Sequence, residues 1–182
     1  LGTFSPYMVV HETSVVKIDP TVPFEVACLV GCGVTTGWGS ATHTAQIKPG
    51  DDVAIVGIGG VGMAALQGAL ASGARKIFAI DPVEWKRDQA LKFGATHVYE
   101  DIFAAMAGIA EETQGFMCKK VIVTVGELNG ADVENYMIIT SKSGTCVLTA
   151  IGSMTDTNVT LNLAMLACLN RPRPRWVRRC RI

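Results

Sequence analysis

"VGIGGVGMAALQGALASGARKIFAID", residues 56–81, sets Gly57, Gly59 and Gly62 in the spacing G-x-G-x-x-G between two apolar runs. The run before it, "DVAIVG" (52–57), is short, β-branched and closed by glycine. The run after it, "GVGMAALQGALASG" (60–73), has helical spacing and stops at Gly73. "RKIFAID" (75–81) then reads as a second strand, so the stretch is strand, tight turn, helix, strand. In that context Gly57 permits the sharp turn out of the strand. Gly59 lets a pyrophosphate approach backbone with no Cβ in the way, Ile58, Gly60 and Val61 complete the loop, and Gly62 lets the helix lie close to the sheet. The helix N-terminus offers free amides and a positive dipole end to phosphates. Asp81 ends the second strand, where a carboxylate accepts ribose hydroxyls and repels a 2′-phosphate; the loop with Asp81 predicts a dinucleotide site preferring NAD over NADP.

Outward from this unit the alternation continues. "PVEWKRDQALKFG" (82–94) reads as a helix with Pro82 near its start and Gly94 at its end. "THVYE" (96–100) is a short strand, "DIFAAMAGIAEETQG" (101–115) a helix, "KKVIVTVG" (119–126) a strand, "NGADVENYMIITSKSG" (129–144) a helix and "TCVLTAIG" (145–152) a strand. Apolar strands separated by helices imply a parallel sheet covered on both faces. The predicted fold class is α/β, a Rossmann-type doubly wound parallel sheet. Upstream, "YMVVHETSVVKIDP" (7–20) reads as strand-rich. "PFEVACLVGCGVTTGWGSATHTA" (23–45) reads as helical with a glycine-rich kink, and these residues belong to something other than the sheet.

Composition narrows the class. Nearly half of the 182 residues are apolar (49%) and the mean hydropathy is +0.32, yet no apolar run reaches the roughly 20 residues of a membrane span, so a soluble chain and no membrane partner are expected. The first residues carry no signal-peptide pattern, and with no initiator Met the chain reads as a piece of a longer protein. Formal charge is zero, but six of the sixteen basic residues lie in "RPRPRWVRRCRI" (171–182), leaving ten against sixteen acids before it. That tail has arginines beside a Trp, but its prolines break helices, so nucleic acid is not the expected partner and a disordered end is. Cysteines at 28, 32, 118, 146, 168 and 180 form no C-x-x-C pair, which disfavours a disulfide framework and fits a reducing cytoplasm. Cys28, Cys118, Cys146 and Cys168 are expected in the core. His11, His43 and His97 have no ligand spacing.

"LVGCGVTTGWGSA", followed after Cys32 by "GIGGVG" and by "GARKIFAIDPVEWKRDQALKFGATH", resembles the zinc-containing medium-chain alcohol dehydrogenases, over nearly nine tenths of the chain to about residue 166. Within them it looks closest to the branch of glutathione- or mycothiol-linked formaldehyde dehydrogenases and related actinobacterial alcohol dehydrogenases. The resemblance implies that Cys32 is one of three protein ligands to a catalytic zinc, which polarises an alcohol oxygen so that the alkoxide loses hydride to NAD. It implies that Thr36 packs against the nicotinamide and that Lys86 lies near the adenosine ribose, although Lys86 reads equally as a solvated helix charge. It implies backbone contacts to the nicotinamide end from Thr149, Ala150 and Ile151. The family's other two catalytic ligands and its four-cysteine structural zinc lobe lie ahead of residue 1, so this chain alone is expected to hold no catalytic zinc and to be inactive.

The expected organisation is thus 1–31, a C-terminal remnant of the GroES-like catalytic domain; 32–170, an NAD-binding Rossmann domain lacking its sixth strand; and 171–182, a basic disordered tail whose Arg, Pro, Trp and Cys usage resembles a shifted reading frame. The expected activity is an NAD-dependent oxidoreductase acting on a small primary alcohol, or hydroxymethyl-thiol adduct, and its aldehyde, homo-oligomeric in the parent enzyme. A stand-alone, non-catalytic dinucleotide-binding module is the competing reading.

Overall fold

The computed structural model describes residues 5–153, 155 and 158–163, with the backbone of 174–176. Two short helices, α1 (Phe24–Val30) and α2 (Gly33–Gly39), lead into a π-helical turn at Ser40–Thr44. The alternating part follows as β1 (Asp52–Val56), α3 (Gly60–Ala71), β2 (Lys76–Ile80), α4 (Glu84–Lys92), β3 (His97–Tyr99), α5 (Ile102–Glu112), β4 (Cys118–Val123), α6 (Val133–Ile138), β5 (Thr140–Leu148) and β6 (Pro174–Trp176). The sheet order is β3-β2-β1-β4-β5-β6 and every pairing is parallel. The chain steps outward from β1 to β3, then crosses to β4 on the other side of β1. That reversal places a crevice at the C-terminal ends of β1 and β4.

Side-chain alternation splits the core into two layers. Ala54, Val56, Phe78, Ile80, Val121 and Val123 face one side with Ala105 and Ile109 of α5 and Met137 of α6. Val53, Ile55, Ile77, Ala79, Ile122 and Val147 face the other, against Ala65, Leu66 and Ala69 of α3 and Ala90 of α4. Burial on both faces is why these strands read as unbroken apolar runs. Helix α2 crosses α3 through small residues: a Cβ on Gly37 would overlap Val61 O and lie 2.8 Å from Ala64 Cβ, and one on Gly68 would lie 2.9 Å from Ala41 Cβ. The α5 N-terminus is closed by Asp101, whose Oδ1 accepts from the backbone N–H of Phe103 and Ala104 at 2.8 Å.

Four expectations are corrected. Residues 7–20 form no strand; a 3-10 turn at Glu12–Ser14 is their one regular element, because an isolated extended segment has nothing to pair with. The helix expected over 129–144 is confined to a 3-10 turn at Gly130–Asp132 and α6, and β5 starts five residues early, at Thr140, which pairs with Cys118. Thr140 is β-branched, and the strand carries a bulge between Thr140 and Thr145, where Ser143 takes φ 56°. Cys28 is exposed, since α1 buries none of its residues, whereas Cys118 and Cys146 are fully buried as expected and Cys168 lies outside the described residues. In the tail, expected disordered and without a sixth strand, residues 174–176 pair in parallel with Cys146–Leu148. Pro174 opens that strand, the position where a missing N–H is tolerated. The rest of 171–182 lies outside the described residues.

Candidate functional site

The glycine loop sits where β1 gives way to α3. Gly57 adopts φ 89°, a conformation an L side chain rarely takes, and donates its N–H to Ile80 O at 2.8 Å. Built Cβ atoms on Gly59 and Gly60 meet nothing within 4 Å, so the backbone there faces open space. A Cβ on Gly62 would overlap Gly57 O and approach Thr124 Oγ1 to 2.8 Å; the third glycine is fixed by the close return of the helix onto its own turn. Thr124, after β4, holds that turn by donating to Gly57 O at 2.6 Å, with Val56 O at 3.1 Å.

Asp81 is 4% exposed. Its Oδ2 accepts from the Ile58 N–H at 2.8 Å and its Oδ1 from the Val83 N–H at 2.9 Å, so the carboxylate staples the end of β2 to the glycine loop. Lys86 Nζ lies 3.5 Å from Oδ2, half-buried rather than a freely solvated helix charge. Arg87 donates to the carbonyls of Asp81 and Pro82 at 2.8 and 2.9 Å. Neither the Thr124 nor the Arg87 contact had a sequence signal beyond a polar residue at the edge of an apolar run.

These groups surround one cavity of about 620 Å³, lined by Gly57, Gly59, Gly60, Val61, Asp81 and Lys86 among others. Gly59, Gly60 and Val61 bring the first turn of α3, whose amides have no intrahelical acceptor, to its wall. Tyr136 also lines the cavity, and burial pushes its phenol up to about 12. Ile58 and Gly62 stand behind the loop, Ile58 with its side chain in the core.

The remaining predicted positions gather elsewhere. Cys32 is exposed at the N-terminus of α2, with Thr36 Oγ1 4.0 Å from its Sγ. Thr149, Ala150 and Ile151 follow β5: Thr149 and Ala150 donate their N–H groups to Val123 O at 2.9 and 3.2 Å, and Ile151 O accepts from Leu128 N–H at 3.2 Å. One side-chain contact joins the two groups, Ser40 Oγ to Thr149 Oγ1 at 3.0 Å, and Ser40 had not been singled out in the sequence. Among the described residues no three His, Cys, Asp or Glu side chains come close enough together to hold a metal ion.

Sheet order, loop and crevice define a Rossmann-type domain of the dehydrogenase kind. Residues 60–173 match the family described as "Zinc-binding dehydrogenase", and the chain belongs to that family. It is 75% identical over 171 residues to alcohol dehydrogenase B of Mycobacterium tuberculosis, covering 94% of this chain and 46% of that protein. It is 42% identical over 153 residues to the NDMA-dependent alcohol dehydrogenase of Amycolatopsis methanolica, covering 84% of this chain and 41% of that one. Among solved structures, benzyl alcohol dehydrogenase from Acinetobacter calcoaceticus superposes with a TM-score of 0.77 at 26% identity, over 89% of this chain and 44% of that chain. The chain thus spans about half the length of the relatives it matches. Among the described residues no helix is long and apolar enough to cross a membrane.

Proposed function

We propose that this chain is the cofactor-binding half of an NAD-dependent alcohol dehydrogenase, acting with the remainder of a longer protein on a primary alcohol or hydroxymethyl-thiol adduct and its aldehyde, in the cytoplasm and as a homo-oligomer. The observation that carries it is the buried Asp81 carboxylate, hydrogen-bonded to the glycine loop and set in the wall of the same cavity. One relative supports the adduct reading: S-(hydroxymethyl)glutathione dehydrogenase of Saccharomyces cerevisiae is 53% identical over 95 residues, 52% of this chain and 25% of that protein.

The residues present fit NAD. Gly59 and Gly60 leave open backbone for a pyrophosphate, and the first amides of α3 meet its charge. Asp81 keeps lone pairs beyond those used by Ile58 and Val83 for the ribose hydroxyls, and its charge opposes a 2′-phosphate. Lys86 offsets part of that charge. Thr36 and the backbone of Thr149–Ile151 are the groups proposed for the nicotinamide end. Bound NAD supplies the hydride acceptor; the chain's contribution is to hold it in one orientation. Zinc does not fit this chain by itself, because among the described residues no three His, Cys, Asp or Glu side chains gather at Cys32 or elsewhere to hold it. Residues 1–31 are proposed as the end of the catalytic domain.

Titration with NADH, followed by nicotinamide fluorescence, tests the reading. Saturable binding without added metal, at least several-fold tighter than NADPH, is expected; no binding up to millimolar NADH, or equal affinities, overturns it. Turnover of alcohols by this chain with NAD and added zinc is expected to be absent. Turnover that is lost in Cys32→Ala would show that the chain carries a complete metal site.

A further inference from the structure

Ser40 and Thr149 are 109 residues apart and share a hydroxyl–hydroxyl hydrogen bond of 3.0 Å. Ser40 is 2% exposed and begins the π-helical turn that ends α2, a departure from regular helix that recurs at functional sites. Its Oγ also contacts Thr36 O at 2.7 Å. A carbonyl can only accept, so the single Ser40 hydroxyl proton is committed to Thr36. The Ser40–Thr149 bond then has one polarity: Thr149 donates, Ser40 accepts. The proton of Thr149 points into the protein, and its oxygen is left with acceptor capacity only.

This contact ties the segment carrying Cys32 and Thr36 to the segment following β5. Without it, α2 reaches the sheet mainly through α3, and the turn after β5 is held by backbone bonds to Val123 O. Resting on the NAD reading above, we infer that the Thr36–Ser40–Thr149 linkage is the positioning element for the nicotinamide end of the cofactor, with Ser40 and Thr149 as positioning residues that fix the spacing between α2 and the β5 terminus. The adenosine half binds at Asp81 and the glycine loop, which the linkage does not touch. The two halves of the cofactor therefore respond differently when it is cut.

The test compares NADH with ADP-ribose, which lacks the nicotinamide, on the full chain and on Ser40→Ala, Thr149→Val and Thr149→Ser. Losing one hydrogen bond predicts about 3- to 10-fold weaker NADH binding for Ser40→Ala and Thr149→Val, with a smaller shift in bound nicotinamide fluorescence. ADP-ribose affinity should stay within about twofold, and Thr149→Ser, which keeps the hydroxyl, should restore wild-type NADH binding. Equal losses for both ligands, or unchanged NADH binding in both hydroxyl-deleting variants, overturn the inference. If the unsubstituted chain binds neither ligand, the NAD reading itself falls and this one with it. Thermal melting identifies any variant that does not fold, and the other hydroxyl-deleting variant then decides.

Discussion

The Asp81 carboxylate staples β2 to the glycine loop and, in the function proposed above, also faces the cofactor ribose; removing it separates the two roles. In Asp81→Ser the repulsion of a 2′-phosphate disappears, while Lys86 and Arg87 remain on the same turn. NADH binding should weaken by about 1–3 kcal/mol, the range for a charge-assisted bond, and NADPH binding should strengthen relative to it. Paired titrations read this directly; an unchanged NADH to NADPH ratio would mean that the carboxylate does not face the ribose. The loop and Asp81 were legible because glycine spacing and a strand-ending acid are local signals. The Ser40–Thr149 contact was not, since two hydroxyls far apart in sequence meet only after the sheet has brought β5 beside the end of α2.

At the scale of elements, α3 returns onto its own turn with no room for a side chain at Gly62. Gly62→Ala would drive a methyl into Gly57 O and Thr124 Oγ1, so the helix must shift. A loss of about 1–3 kcal/mol is expected from such overpacking, with weaker NADH binding, measured by urea unfolding and by fluorescence. Asp101→Ala removes the cap of α5 at the wall of the same cavity and should cost about 1 kcal/mol of stability, measured by urea unfolding. Elements with a clear apolar period and a glycine stop were readable from sequence to within a few residues: β1, α3, β2 and β4. The start of β5 was not, because the bulge within "IITSKSG" is set by the neighbouring strand, which pairs Thr140 with Cys118.

For the whole molecule, an ionic cluster joins the far ends of β2, β3 and α5. Lys76 Nζ lies 2.5 Å from Glu112 Oε2, and His97 Nε2 lies 3.5 Å from the same oxygen. The Lys76 hydrogen bond and charge hold the Glu112 carboxyl below its ordinary value. A carboxyl whose folded pKa is depressed stabilises the fold above its unfolded pKa, and that contribution is lost as pH falls through the folded value. Melting temperature should therefore drop on acidification below the ordinary Glu range, and Glu112→Gln should flatten that drop while leaving its slope above neutral pH unchanged. At the opposite edge, the three residues of β6 cover β5. Ending the chain at Asn170 should leave the core intact but expose the backbone groups of Cys146–Leu148, raising aggregation seen by light scattering.

Every described residue from 5 to 32 is exposed except the half-buried Ala27, and Tyr7, Val9, Val16 and Phe24 are each more than four fifths exposed. Apolar side chains already in water contribute nothing when the chain unfolds. Denaturant sensitivity and the heat-capacity step both scale with newly hydrated surface, so each should fall short of the value typical for 182 residues, by on the order of a tenth. Removing residues 1–23 should leave the m-value and ΔCp of unfolding nearly unchanged. A proportionate decrease in both would instead mean that this segment is folded against the rest in solution.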